Sequence, residues 1–154
     1  METVSHFLPF LQGEEGSFEL DIGTYTGATL NNRPHGNGTI LFKPEDAMGR
    51  RAYEGDWREG AKTGKGRMIF VSGDFYEGDF VDGVPDGEGR FHYPESGEVE
   101  TAAFERGRRH GLSRCRTPGG TEEEIPYVDG VARGTATLRM ADGGVEERTY
   151  ENGK

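Results

Sequence analysis

A single cysteine, Cys115, is found in 154 residues. One thiol excludes an internal disulfide and fits a reducing compartment. Hydrophobic residues are scarce as well, at 32%. That is lean material for a two-layer core, and it favours a thin structure in which each unit packs mainly on its neighbours. No apolar run is long enough to cross a membrane. The N-terminal cluster of Phe7, Leu8, Phe10 and Leu11 around Pro9 is short and has no basic residue before it, so it reads as neither signal peptide nor anchor. Positive charge is in deficit, with 18 Lys and Arg against 28 Asp and Glu and a net charge of -10. A field of that sign disfavours nucleic acid and anionic membrane surfaces as non-specific partners. The expectation is a soluble, cytoplasmic chain.

What the chain has in excess is glycine, 26 of them, accompanied by 9 Phe and 6 Tyr. The glycines are periodic. Tyr53 opens YEGDWREGAKTGKGRMIFVSGDF, and Tyr76, 23 residues later, opens YEGDFVDGVPDGEG. Gly55, Gly60, Gly64 and Gly66 recur as Gly78, Gly83, Gly87 and Gly89 at the same offsets from the tyrosine. A repeat of this length is the mark of an array. With the tyrosine as position 0, Tyr25 begins an earlier copy that places Gly27, Gly36 and Gly38 at +2, +11 and +13. Weaker copies start at Glu100 and Glu123, and half a copy runs from Glu146 to Lys154. The array is expected to cover residues 18–154. Residues 1–17 lie outside it, as a cap over the first repeat's apolar surface or as a docking peptide for another protein.

Within each copy, apolar and charged residues alternate. Tyr53, Gly55 and Trp57 are interleaved with Glu54 and Asp56; Gly64, Gly66, Met68 and Phe70 are interleaved with Lys65 and Arg67. Period-2 alternation predicts strands with one apolar and one charged face. Each copy is then a β-hairpin whose turn holds the +7 glycine, as in Asp82-Gly83 and Asp129-Gly130. A glycine beside an aromatic lets the ring lie flat on bare backbone, so one sheet can cover itself without a second layer. Lys43 to Arg51, with Pro44 and Gly49, predicts a longer loop between the first two copies.

Signs of catalysis are few. His6, His35, His92 and His110 fall in different units, without the spacing of a metal site, and His35 and His110 both fall at +10, where a turn role is expected. The G-x-G pairs lack the Gly-Lys-Ser/Thr of a phosphate loop. Cys115 has Arg114 and Arg116 beside it, which would lower its pKa, but no base at local spacing; an inert thiol is the expectation. Neither metal nor cofactor is implied, and no enzyme.

The copies at Tyr53 and Tyr76 resemble the MORN repeat, close to Y-E-G-x-[WF]-x-x-G-x-x-x-G-x-G-x-[ILMF]-x-[FY]. The Tyr25 copy departs by Thr29 in place of an aromatic. The fourth copy carries Glu100, Ala102, Ser113, Cys115 and Thr117 where Tyr, Gly, Gly and two apolar residues are usual, and should interrupt the aromatic surface. The resemblance implies an all-β, elongated, single-layer twisted antiparallel meander and a scaffold or adaptor role, in ciliary, flagellar or cytoskeletal assemblies. It also implies an aromatic groove that takes a partner protein segment. The expected contacts are Tyr53, Trp57, Met68, Phe70, Tyr76, Phe80, Phe91 and Tyr93. On this reading, Trp57→Ala with Phe80→Ala abolishes capture and leaves the sheet folded. The alternative is an adaptor at a membrane surface, holding inositol phospholipid headgroups through Arg106, Arg108, Arg109, Arg114 and Arg116. A homodimer through the strand edge of the last half copy is a further expectation.

Overall fold

In the computed structural model, residues 14–154 are described; most of the segment expected as a cap or docking peptide lies outside them. The described residues contain no helix. They form one antiparallel sheet of 14 strands in which spatial order follows chain order, except that two short strands, the ninth and the twelfth, each pair only with the strand before them. β1 (Glu14–Leu20) precedes the first copy, whose hairpin is β2 (Gly23–Leu30) and β3 (Arg33–Phe42). The two best-matched copies give β4 (Arg50–Arg58), β5 (Ala61–Phe70), β6 (Phe75–Val81) and β7 (Val84–Tyr93). The meander continues without a break through β8 (Glu98–Glu105), β9 (Arg108–Arg109), β10 (Gly111–Arg116) and β11 (Glu122–Val128). It ends in β12 (Val131–Ala132), β13 (Gly134–Arg139) and β14 (Val145–Tyr150). β1 starts at Glu14, inside the segment expected to precede the array.

The hairpin turns explain why every copy keeps step. Each turns on two residues of positive φ: Asn31-Asn32, Glu59-Gly60, Asp82-Gly83, Arg106-Gly107, Asp129-Gly130 and Asn152-Gly153. Two such residues make the mirror-image turn whose twist matches that of the flanking strands. The turns are also joined to one another. From the second copy on, the +7 glycine N–H donates to the carbonyl of the +9 residue one copy back: Gly60 to Pro34, Gly83 to Lys62, Gly107 to Pro85, Gly130 to Arg109 and Gly153 to Ala132. The weaker copies share this ladder although the tyrosine at position 0 has gone. The +10 side chains reinforce it. His35 Nδ1 accepts from Glu59 N at 3.3 Å, Asp86 Oδ2 from Arg106 N at 3.1 Å and His110 Nδ1 from Asp129 N at 3.5 Å. The turn role expected of His35 and His110 is thus a cap on the next copy's turn.

The two faces follow the predicted alternation, with one departure. The outer face carries a row of alternating charges, Glu54, Arg67, Glu77 and Arg90, then the neutral Thr101, then Arg114 and Glu124, paired strand by strand. Cross-strand pairs of opposite sign favour the observed register. The face is not charged throughout, however. Beside that row lie Leu41, Ala52, Ile69, Phe75, His92 and Val99, with His92 stacked on Phe75 at 4.4 Å.

A ring-covered binding face

The inner face is built on two rows that run across the sheet. One is glycine: Gly16, Gly27, Gly38, Gly55, Gly66, Gly78 and Gly89 are in register, strand to strand. The other is apolar: Phe18, Tyr25, Ile40, Tyr53, Met68, Tyr76 and Phe91. The tyrosines lie over the glycines. A Cβ on Gly38, Gly66 or Gly89 would collide with the ring of Tyr25, Tyr53 or Tyr76 respectively. The hydroxyl has its own task. Register shifts after Gly27 and Gly55 bulge the strand, and Tyr25 Oη donates to Ala28 O at 2.6 Å and Tyr53 Oη to Asp56 O at 3.2 Å. Tyr76 Oη has no partner among the described residues. Burial pushes the Tyr76 phenol up to about 12 and the Tyr53 phenol further in the same direction.

The sequence itself tests this pairing of ring with bare backbone. Copies with tyrosine at position 0 have glycine at +13: Tyr25 with Gly38, Tyr53 with Gly66, Tyr76 with Gly89. The copies with Glu100 and Glu123 at position 0 have Ser113 and Ala136 at +13. Where the ring is absent, a side chain fills the space.

Tyr25, Trp57, Tyr53, Phe80, Tyr76 and Phe104 form a continuous edge-to-face chain with centroids 5.0 to 5.5 Å apart. Such pairs are favoured by the ring quadrupole beyond their area. Trp57 Nε1 also donates to Gly38 O at 3.1 Å. The eight residues expected to contact a partner are therefore placed in two ways. Tyr53, Trp57, Met68, Tyr76 and Phe80 are buried within the chain, none more than 8% exposed, and are its core. Phe70, Phe91 and Tyr93 are half-buried and stacked as a strip, at 6.4 Å and 6.3 Å.

Three cations lie on the same rings. Arg50 lies 4.3 Å from the Phe42 centroid and pairs with Asp46 at 2.7 Å. Asp46 also accepts from Met48 N and Arg50 N, which fixes the long loop between the first two copies. Lys62 Nζ sits 5.4 Å from the centroids of Phe42, Tyr53 and Trp57, and the residue is 7% exposed. Arg109 lies over Phe91, Phe104 and Tyr127 and grips Glu100 with two hydrogen bonds, 2.9 and 2.8 Å. Glu100, buried where earlier copies have tyrosine, also accepts from Ser113 Oγ at 2.6 Å and Tyr93 Oη at 3.1 Å. Lys62 and Arg109 are both +9 residues, on the apolar parity of their copies. That was the signal, visible in the sequence, that cations line this face.

The five arginines of the expected anion patch are not brought together. Arg109 is committed to Glu100 on the inner face, whereas Arg114 is on the outer face, where it pairs with Glu124 at 2.6 Å. Arg116 lies opposite Glu122 in register, Arg106 is in an exposed turn and Arg108 follows it. Strand alternation divides a run that is continuous only in sequence. Nor do the flanking arginines lower the Cys115 thiol: burial and then Glu98, Glu100 and Glu123 push it up.

Burial would raise the Glu100 carboxyl, but the hydrogen bonds from Arg109 and Ser113 outweigh it and hold it below the usual 4.5. The Arg50 hydrogen bonds bring Asp46 down from 3.8 to about 2. Both carboxyls ionise more readily folded than unfolded, so their stabilisation is complete above the unfolded values and is lost as pH falls through the folded ones. Lys62 is perturbed the other way: burial, then Arg50, lowers it from 10.5 to about 8. Between those values the unfolded chain holds a proton that the folded chain has released, so stability rises with pH across that window. Urea titrations should show a midpoint that falls from pH 5 to pH 2. From pH 8 to pH 10, the wild type should gain relative to Lys62→Met. Parallel alkaline curves for the two proteins would contradict this assignment.

These features define a β-hairpin repeat sheet with its core on one face. The MORN repeat family model matches residues 25–46, 53–75 and 76–98, three consecutive MORN repeats in this chain. No curated protein matches it. MORN repeats form non-catalytic scaffolds that interact with proteins or membranes; the hairpins from β8 to β14 lie beyond the matched residues and extend the same array.

Proposed function

We propose that the chain is a non-enzymatic scaffold that docks a segment of a partner protein over the Phe70, Phe91 and Tyr93 strip. The observation that carries this reading is the half-burial of three stacked rings on a rigid bed. Phe91 rests on Tyr76 and Phe104, at 5.1 and 6.0 Å, so its position is set before a partner arrives. Aromatics held in this way lose little entropy on binding and dominate interface energetics. The family resemblance adds the setting, a ciliary or cytoskeletal assembly in the cytoplasm. The headgroup alternative loses its footing with the dispersal of the arginines and a net charge of -10.

The test is Phe70→Ala with Tyr93→Ala, assayed on peptides selected for binding to the wild-type protein from a displayed library. These substitutions remove the strip's ends and leave the buried ring chain in place. Affinity should fall about tenfold or more while the circular dichroism spectrum stays that of a sheet, a loss of the size that interface aromatics carry. Unchanged affinity would move the docking surface elsewhere.

A further inference from the structure

We propose that Lys62 anchors a carboxylate, the Asp or Glu side chain of an otherwise apolar partner segment docked on the ring-covered face. The inference rests on the docking reading above and names the chemistry of the occupant. It starts from a charge imbalance. Arg50 has Asp46 and Arg109 has Glu100, each through charge-assisted hydrogen bonds. Lys62, between them in sequence and the most enclosed of the three, forms no ion pair among the described residues. Asp46 attracts Lys62, but that carboxylate is held by Arg50, which repels the lysine, and a cation removed from water without an ion-pair partner of its own opposes folding unless something else offsets it. The three rings around its ammonium offset part of this cost through their quadrupoles. The unmet part is an electrostatic demand for one negative charge, directed at the face where a partner is placed.

The surroundings select the kind of anion. Phe42 is shared by Lys62 and Arg50, and Arg50 lies across from Phe70 in register. The lysine is therefore joined to the aromatic strip through Phe42 and Arg50. A ligand that reaches it must also cover rings, which suits a side-chain carboxylate on an apolar peptide. A phosphate would carry more charge and favour a free guanidinium fork. The neighbouring fork is already closed, since Arg50 Nε and Nη2 both donate to Asp46. The chain's overall charge further disfavours a polyanionic lipid surface. At the strip's other end Tyr93 Oη is bound to Glu100, and that carboxylate is already paired. The second acidic group of a partner would find no waiting cation there.

A double-mutant cycle tests the proposal. Peptides selected on the full-length wild type from a displayed library are compared with versions in which each Asp or Glu is replaced by Asn or Gln. One such replacement should cost about tenfold or more on the wild type, the usual scale for a desolvated charged hydrogen bond. On Lys62→Met, whose side chain keeps most of the length without the charge, acid and amide versions should bind equally, and its thermal midpoint should match or exceed the wild type's. The proposal is overturned if the amide costs the same on both proteins, if the selected peptides carry no acidic residue, or if phosphopeptides supply the dependence on Lys62. It is also overturned if peptides bind only after residues 1–13 are removed, since the occupant would then be the chain itself. Peptides that lose affinity on Phe70→Ala with Tyr93→Ala but ignore Lys62 would retire the anchor and keep the docking face; peptides indifferent to both would retire both.

Discussion

Gly66→Ala should be among the most damaging single-methyl additions available in this protein. The new Cβ would point into the Tyr53 ring. That ring cannot retreat, because it lies edge to face with Trp57 at 5.3 Å and Phe80 at 5.0 Å, and its hydroxyl holds the Asp56 carbonyl. Overpacking a filled site costs about 1–3 kcal/mol and more where neighbours are rigid. Gly66 is not among the residues of positive φ, so the loss would be steric rather than conformational. Gly73→Ala supplies the contrast. It has positive φ but nothing within 4 Å of a Cβ, and should show the backbone cost alone, about 1–2 kcal/mol. The clash also predicts a coupling. In a Tyr53→Leu background, Gly66→Ala should lose most of its effect, because the ring it would strike has gone. Urea denaturation of the four proteins in this cycle measures the coupling. Additive losses would mean that the glycine row is not there to seat the rings.

Trp57→Ala with Phe80→Ala is the second case, and here the structure reverses the expectation drawn from sequence. Trp57 and Phe80 are 4% and 1% exposed, and both pack on Tyr53. Truncation of a buried aromatic costs about 3–5 kcal/mol. Two such losses sharing a neighbour compare with the whole stability of a typical domain, about 5–15 kcal/mol. The double variant should lose its sheet spectrum at ambient temperature and become protease-sensitive. Loss of binding in that protein would say nothing about contact with a partner. If the sheet spectrum survives intact while peptide affinity is lost, Trp57 and Phe80 return to the contact surface and the ring chain is not the core. The half-buried Phe70 and Tyr93 are the residues on which docking can be tested without unfolding the array.

The difference between these two cases shows what the sequence could convey. Alternation placed Tyr53, Trp57, Phe70 and Phe80 on one face, and that was right. Alternation carries no information about depth. Whether a ring on the apolar face is core or contact depends on what lies beside it on the neighbouring strands, and that follows from register. Lys62 and Arg109 share the parity of the rings, yet a reader counting hydrophobic positions passes over them. Glu100 shows the same limit: it marks the beginning of a weaker copy, but its buried bonds to Arg109, Ser113 and Tyr93 come from three other strands. The arginine run from Arg106 to Arg116 shows it in reverse, since a cluster in sequence is split by the strand's alternation into opposite faces.

The sequence by itself determined the repeat, its period, the hairpins, their turns and the all-β class, because each depends on residues close together in the chain. Glycine at +7 fixes a turn locally, and period-2 patterning fixes a strand locally. The tertiary structure alone decided which rings are buried and, of the three cations on the ring-covered face, which have an ion-pair partner among the described residues. Those properties depend on which side chains meet across strands, some of them far apart in the chain, as Lys62 meets Phe42. A contact of that kind is set by register and packing, which the spacing of residues along the chain does not state.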